Sequence, residues 1–441
     1  MSKFWKKIVS VGVAFTMAGT LLMGCGGSSD DSSDADSTDA DSSESTASSS
    51  DAKEVTLWHY FENEADDLEE IVEEYNQMQS DIHITVTYVA RDELMNQYTI
   101  GAVSGELPDI GMVDSPDMAS YVSLGVFEDI TSQLEEWGEL DKFYTGTLSS
   151  CKDSKGNLYG LPNNSNCLAL LCNMDLLNAA GYEDVPETWE EFEEIAAATT
   201  NAGDNVYGFS MSLIGNEEGT FQYIPWLYAA GGSVADLSSD KSVKSLDFLS
   251  NLIAQGYLSK ESVNWTQADA YNAFIAGKAA MLESGTWQIA SLDDDIADAG
   301  TDINYKYCFL PKDETYASVI GGENFGVCTG SEATDECVDF LTWFHSAEKN
   351  GEFATRSGKL VVREDAEEYN ELIEDERFAV FSDAMEYAVA RGPHESWPTI
   401  SEAIYTAVQG AAIGEKTAAD AMAEGAAVVD PILEETPLPE Q

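Results

Sequence analysis

Two different apolar spacings follow one another between residues 55 and 88, and this succession most constrains the fold. Val55 to Trp58 form a short apolar run, after which apolar residues recur every three or four positions, as on one face of a helix. The helical positions are Leu68, Ile71, Val72, Tyr75 and Met78. Apolar and polar residues then alternate from Ile82 to Tyr88, which predicts a half-buried strand. A strand, a helix and a strand at this spacing form a βαβ unit, so we expect an α/β fold.

The sequence is too long for one hydrophobic core. From Lys53 to Gln441 the chain exceeds the roughly 250 to 300 residues at which a single core stops growing, so two lobes are expected. Further strands are predicted at 108–113, 158–162, 168–172 and 317–327. Helices are predicted at 188–198, 242–254, 267–276, 334–344 and 400–409. This pattern favours two doubly wound α/β lobes with a binding crevice at the carboxyl ends of their strands.

The amino terminus has the features of an export signal. Lys3, Lys6 and Lys7 precede an uncharged stretch that ends in Leu22-Met23-Gly24-Cys25. This ending resembles the lipobox of bacterial lipoproteins, which predicts a signal peptide at residues 1–24 and a diacylglycerol-modified Cys25, although simple secretion is the alternative. Residues 25–52, rich in Ser and Asp, are expected to form a disordered tether. The predicted location is the outer face of the bacterial cell membrane, with the lipid anchor as the only membrane contact.

The composition argues against several kinds of partner and cofactor. The chain has 81 acidic and 21 basic residues, so it lacks the basic surface that nucleic-acid binding requires. Its four histidines are scattered and its cysteines show no Cys-x-x-Cys spacing, so we expect no metal site and no cofactor. A body of this size does not need disulfides to fold, which favours buried free thiols for the cysteines after Cys25.

Four motifs in the body occur in an order that resembles one protein family. They are Gly156–Pro162 (GNLYGLP), Cys172–Leu177 (CNMDLL), Pro186–Phe192 (PETWEEF) and Phe274–Trp287 (FIAGKAAMLESGTW). In this order, behind a lipobox and a tether, they resemble the family 1 extracellular solute-binding proteins, the group that includes maltose-binding protein. The likeness extends from Lys53 to about Asp430.

The resemblance implies a periplasmic-binding-protein-like fold of type II, in which two α/β lobes are joined by a hinge. The chain would cross between the lobes near Pro162, Ser318 and Gly358. The implied lobes are an amino-terminal one of residues 53–162 and 318–357 and a carboxyl-terminal one of residues 163–317 and 358–441. The resemblance also implies a monomer that catalyses no reaction, stays open until a carbohydrate binds, closes by hinge bending and docks on the permease subunits of an ABC-type importer.

A sugar needs aromatic faces for its C–H patches and carboxylates or amides for its hydroxyls. Trp58, Glu62 and Asn63 follow the first strand, at the end where crevices form, and are predicted ligand contacts, although Trp58 could instead finish a buried strand. Asp114 follows the strand that ends at Val113, where relatives often place a contact.

The resemblance adds candidates near the hinge and in the second lobe. Trp287 falls on the family's signature of glycine, any residue and tryptophan, and is the leading candidate. Tyr223 and Trp226 lie in a segment that resembles an aromatic platform of relatives, although aromatics at helical spacing are more often core. The remaining candidates are Asn164, Gly322, Glu323, Asn324, Arg363 and Trp397. Of these, Asn164 could be an ordinary turn residue and Arg363 could pair with a neighbouring acid.

Two other functions stay open at this point. An exported glycan hydrolase needs two carboxylates about 5 to 10 Å apart, which an acidic chain readily offers, but no nucleophile elbow or His-Glu-x-x-His helix is present. A surface adhesin would hold a glycan without hinge closure. Within the importer interpretation, the ligand could also be a polyamine, a peptide or a metal complex, and the aromatic content favours a sugar.

Overall fold

The computed structural model describes residues 52–438, apart from 63 and 154. The predicted signal peptide, Cys25, nearly all of the tether and Asn63 lie outside the described residues. The strands are β1 (Lys53–His59), β2 (Ile82–Tyr88), β3 (Ile110–Asp114), β4 (Gly160–Pro162), β5 (Leu168–Asn173), β6 (Tyr207–Ser210), β7 (Ala279–Gly285), β8 (Tyr305–Cys308), β9 (Ser318–Ile320), β10 (Glu323–Val327) and β11 (Ala388–Ala390).

The helices are α1 (Ala65–Met78), α2 (Arg91–Ser104), α3 (Met118–Ser123), α4 (Thr131–Trp137), α5 (Thr145–Ser149), α6 (Met174–Ala179), α7 (Trp189–Thr199), α8 (Glu217–Ala229), α9 (Asp240–Gln255), α10 (Gln267–Ile275), α11 (Leu292–Asp298), α12 (Thr334–Phe344), α13 (Ala347–Ser357), α14 (Glu376–Ala384), α15 (Trp397–Ala412) and α16 (Ala418–Glu435). Within residues 52–438, none of these helices has the length and apolar character needed to cross a membrane.

The first sheet has the strand order β2-β1-β3-β10-β4 and forms the first lobe. β1 pairs in parallel with β2, with Lys53 opposite Ile82, and also in parallel with β3. β10 runs antiparallel between β3 and β4. α1 buries Leu68, Ile71 and Val72 against this sheet, because these residues share one helical face. The βαβ unit predicted from the sequence is therefore confirmed.

The second sheet has the order β6-β7-β5-β8 and forms the second lobe. β5 is buried at every position and runs antiparallel to β7 and β8, while β6 is parallel to β7. The helices α8, α9, α15 and α16 pack on one another in this lobe. Its core contains Leu170, Phe209 and Trp226, each with almost no solvent exposure.

Three stretches of chain lie side by side where the two lobes join. Ser165 forms a β-bridge with Leu360, and Asn166 forms one with Gly321. The strand predicted at 317–327 is divided into β9 and β10. At Gly322 φ is +140°, and a Cβ atom there would lie only 2.2 Å from the carbonyl oxygen of Asn164, so the chain needs glycine to turn at this point.

The division at Gly322 separates strands that belong to different lobes. β9 pairs with β11, and Val319 lies in the core of the second lobe. β10 enters the first sheet. At another crossing between the lobes, Val362 lies in the core of the first lobe. Two α/β lobes joined by a hinge are thus present, as predicted, while the lobe boundaries given from the sequence stay predictions.

Candidate functional site

A cavity of about 240 Å³ lies between the lobes. Its walls come from segments that follow strand ends, the amino-terminal turns of α8 and α10, and the hinge. The residues that line it are Tyr60, Phe61, Glu62, Glu64, Tyr88, Ala90, Arg91, Asp114, Asn166, Glu218, Phe221, Thr266, Gln267, Ala268, Trp287, Gln288, Gly322, Glu323, Lys359 and Arg391. Because strand ends gather at one edge of each sheet, the two edges enclose a common space.

Trp287 supplies the largest aromatic surface on the second-lobe wall. It lies two residues after the end of β7, and its indole lies so close to the backbone of Gly285 that a Cβ atom on Gly285 would be 1.8 Å from Cζ3. The ammonium of Lys359 lies 5.0 Å from the centroid of the indole, and the ring of Phe221 lies 6.4 Å away. Tyr60, Phe61 and Tyr88 line the cavity from the first lobe, so both walls of the cavity carry aromatic rings.

An ionic cluster closes one part of the cavity. Asp114, at the end of β3, accepts hydrogen bonds from both terminal nitrogens of Arg391, at 2.8 and 2.9 Å, and it also pairs with Arg91. Arg391 further donates to Glu217 at 2.6 Å, and its guanidinium lies 4.5 Å from the ring centroid of Phe221. Burial alone raises the pKa of Asp114, but the two arginines lower it below its ordinary value.

A second ionic group lies near the hinge. Lys359 pairs with Glu64 at 3.0 Å, and Glu323 accepts a hydrogen bond from the amide of Asn164 at 2.7 Å. Burial by itself lowers the pKa of Lys359, yet Glu64 and Glu323 raise it above the ordinary value. Burial raises the pKa of Glu323. The cavity therefore combines paired cations with carboxylate oxygens, which are strong acceptors for hydroxyl groups.

Three buried polar side chains that line the cavity have no hydrogen-bond partner among the described residues. They are Tyr60 through its hydroxyl, Asn166 through Oδ1 and Gln288 through Oε1. A buried polar atom without a partner costs free energy, so such atoms indicate a site where a ligand or water completes the bonding. Sequence reasoning missed all three, although each lies within two residues of a named candidate.

Five residues predicted from the sequence line the cavity. They are Glu62, Asp114, Trp287, Gly322 and Glu323. Asn164 and Asn324 lie beside it, in a smaller neighbouring cavity where Asn324 is bonded to Ser150. Both oxygens of Asp114 are already engaged by arginines, so its main contribution is to hold these cations in place.

Five other predicted residues lie away from the cavity. Trp58 packs on the first-lobe core and stacks on Tyr98, with the two ring centroids 6.1 Å apart. Tyr223, Trp226 and Trp397 are buried in the second-lobe core and do not line the cavity. Arg363 is buried in ion pairs with Glu139 and Asp365. These positions correct the assignment of direct ligand contact to Trp58, Tyr223, Trp226, Arg363 and Trp397.

Neither a metal-binding cluster nor a disulfide is found among the described residues. Within residues 52–438, no group of three or more His, Cys, Asp and Glu side chains is arranged to hold a metal ion. The six cysteines of this part of the chain are free thiols, and all but Cys308 are buried. Two α/β lobes with a polar and aromatic cavity between them define a two-lobed solute-binding protein.

Comparison with known proteins gives the family. The sequence profile of the family described as bacterial extracellular solute-binding protein matches residues 70–380. The chain is 24% identical over 309 residues to the lactose-binding protein of Rhizobium radiobacter, covering 66% of this chain and 70% of that protein.

Two solved structures share the fold. An ABC transporter solute-binding protein from Thermotoga lettingae, bound with alpha-D-tagatose, has a TM-score of 0.80 and 24% identity, covering 87% of this chain and 100% of that one. Maltose-bound MalE3 of T. maritima has a TM-score of 0.78 and 22% identity, with the same coverage. The chain belongs to the bacterial extracellular solute-binding protein family, and its place of action is therefore outside the cytoplasm.

Proposed function

We propose that this protein is the substrate-binding subunit of an ABC-type importer and captures a mono- or oligosaccharide between its lobes. The observation that carries the proposal is a cavity lined by an indole and by three buried polar groups that have no hydrogen-bond partner among the described residues. An aromatic ring can cover the C–H face of a pyranose, while the free polar groups and carboxylates bond its hydroxyls. The relatives described as binding lactose, alpha-D-tagatose and maltose support the same ligand class.

We assign the ligand contacts to residues of both lobes. Trp287 is the aromatic platform, and Glu62 and Glu323 are acceptors for hydroxyl donors. Tyr60 and Gln288 supply hydrogen bonds from opposite walls. A ligand held by both walls favours the closed arrangement, and the closed form is the one that the permease subunits recognise.

The proposed role involves capture and release without breaking any bond of the sugar. After the protein is incubated with lactose, maltose or tagatose and the complex is denatured, mass spectrometry should recover each sugar unchanged. Recovery of a shortened sugar would favour a hydrolase.

The predicted lipid anchor belongs to the same proposal. Diacylglycerol on Cys25 would keep the protein at the membrane surface near its importer. Cys25→Ser should move the protein from the membrane fraction to the soluble fraction, and an unchanged distribution would contradict the anchor.

Two matched tyrosines test the site. Tyr60→Phe removes a hydroxyl of the cavity wall that has no hydrogen-bond partner within the described part of the chain. Tyr223→Phe removes a hydroxyl that is hydrogen-bonded to Ser245 at 2.6 Å in the second-lobe core. Tyr60→Phe should weaken binding of the sugar that gives the largest thermal shift, by roughly three- to tenfold, with the melting temperature unchanged. Tyr223→Phe should lower stability by about 1 kcal/mol and leave the affinity unchanged. If calorimetry shows an unchanged affinity for Tyr60→Phe and a weakened one for Tyr223→Phe, Tyr60 is not part of the site.

A further inference from the structure

Lys359 is a basic residue of the cavity wall that belongs to the hinge. It lies between Gly358, which caps the end of α13 with a φ of +66°, and Leu360, which belongs to the stretches of chain that join the lobes. A Cβ atom on Gly358 would lie 2.9 Å from the carbonyl oxygen of Thr286, so this stretch runs close to the segment that carries Trp287. The side chain of Lys359 is only 5% exposed and lines the cavity. The hinge thus places a buried ammonium beside the indole.

The ammonium of Lys359 has more donors than its protein partners use. A lysine ammonium carries three N–H donors. Among the described residues, the one ion-pair or hydrogen-bond partner of this side chain is Glu64, at 3.0 Å, while the ring centroids of Trp287 and Phe61 lie 5.0 and 5.8 Å from it. Aromatic faces attract a cation but do not accept its N–H groups as an oxygen does. Even if both oxygens of Glu64 accept, one donor is left for an oxygen that enters the cavity.

A second lysine beside a tryptophan shows how such an ammonium is paired outside the cavity. The ammonium of Lys349, in α13, lies 5.3 Å from the ring centroid of Trp343. It pairs with two carboxylates, Glu74 at 2.8 Å and Glu352 at 2.7 Å. Lys359 is the more deeply buried of the two lysines, yet it has one carboxylate partner fewer.

We propose that Lys359 donates a hydrogen bond to a hydroxyl oxygen of the saccharide whose ring packs against Trp287. This assignment rests on the proposed function and adds a contact from the hinge to those from the two lobes. An atom packed on the indole lies about 3.5 to 4 Å from it, and a hydrogen bond from an ammonium spans about 2.7 to 3.2 Å. The 5.0 Å between the ammonium and the ring centroid is shorter than the sum of these lengths, so one sugar oxygen can meet both conditions.

The neighbouring carboxylates keep this donor charged and in place. Burial by itself lowers the pKa of Lys359, but Glu64 and Glu323 raise it above the ordinary value. A site built to bond a ligand oxygen rejects an analogue that lacks this oxygen, because the buried polar group of the protein is then left unpaired. Lys359 is therefore a specificity-determining residue, which selects sugars that carry a hydroxyl at the position it contacts.

The test changes the two lysines to methionine. Lys359→Met keeps the length of the side chain and removes the ammonium from the cavity, and Lys349→Met is the matched control outside it. Calorimetry uses whichever of maltose, lactose and tagatose gives the largest thermal shift. Lys359→Met should bind this sugar roughly ten- to a hundredfold more weakly, as expected for a hydrogen bond from a charged donor. Lys349→Met should lower the melting temperature and leave the affinity unchanged.

Monodeoxy derivatives of the same sugar separate a direct contact from a structural role. The derivative that lacks the bonded hydroxyl should bind the unchanged protein more weakly than the parent sugar does. Lys359→Met should bind this derivative and the parent sugar equally, because their difference depends on the removed ammonium. If each derivative that weakens binding to the unchanged protein weakens binding to Lys359→Met by the same factor, the assignment is overturned.

A double variant keeps the test decisive if Lys359→Met does not fold. Lys359→Met leaves the carboxylate of Glu64 buried without its cation, whereas Lys359→Met combined with Glu64→Gln removes both charges. The double variant should bind the sugar roughly tenfold more weakly than Glu64→Gln alone, which keeps the ammonium. Equal affinity of these two variants, or of Lys359→Met and the unchanged protein, would overturn the assignment alone. If none of the three sugars binds the unchanged protein, the proposed function fails and the assignment fails with it, so the two failures are distinguishable.

Discussion

Replacing Trp287 with alanine should weaken saccharide binding while the protein stays folded. The indole is half-buried, and its open part faces the cavity. A sugar ring that covers roughly 60 to 100 Å² of the indole would gain about 1.5 to 2.5 kcal/mol at about 25 cal/mol per Å². Since about 1.4 kcal/mol corresponds to a tenfold change, the dissociation constant should rise roughly ten- to sixtyfold.

This rise in the dissociation constant is measured by isothermal titration calorimetry, with the sugar that gives the largest thermal shift. Trp58→Ala is the matched control, because Trp58 is also a half-buried tryptophan but stacks on Tyr98 outside the cavity. It should lower the melting temperature and leave the affinity unchanged. A dissociation constant for Trp287→Ala within twofold of the unchanged protein would refute the assignment of the indole as the sugar platform.

Three further substitutions follow from the structure. Gly285→Ala should weaken sugar binding about as much as Trp287→Ala in calorimetry, because the new Cβ atom would lie 1.8 Å from Cζ3 of Trp287 and displace the indole. An affinity equal to that of the unchanged protein would show that the indole tolerates the shift. Trp397→Ala should cost about 3 to 5 kcal/mol in urea unfolding without changing sugar affinity, because its ring is fully buried in the second-lobe core, and a loss of affinity in the folded variant would contradict that placement. Burial raises the pKa of Glu283, and the hydrogen bond from Trp226 offsets this rise only in part. The folded protein therefore favours the neutral acid and loses stability as pH rises through that raised pKa. Glu283→Gln should therefore raise the melting temperature at about pH 8 and have little effect at about pH 4, and a shift independent of pH would refute this reasoning.

The sequence predicts elements well where one face of a segment is apolar. The helix predicted at 334–344 has the same bounds as α12, and the strand at Ile82–Tyr88 is present as β2. Other helices escaped prediction for physical reasons. In α2 the apolar residues are spread around the helix, and in α8 nearly all sides are buried, so neither helix has a clear apolar stripe. Gly101 in α2 and Pro225 in α8 weaken the helical signal further.

The same limits apply to the site. Asp114 and Trp287 were predictable because residues that follow strands collect at one edge of a sheet. The aromatic character of Trp226 does not reveal which side of α8 faces the core, so the sequence alone cannot separate a core role from a ligand contact. In the structure the indole N–H of Trp226 donates to Glu283 at 2.8 Å. Arg391 has no local sequence signal, because its partner Asp114 lies 277 residues away along the chain.

A crystal structure of the protein grown with its best-binding sugar is the most direct test of the account. We predict a single intact saccharide between the lobes, with one ring against Trp287 and hydroxyls bonded to Tyr60 and Gln288. A sugar bound on the outer surface of one lobe, with the space beside Trp287 filled only by water, would contradict it.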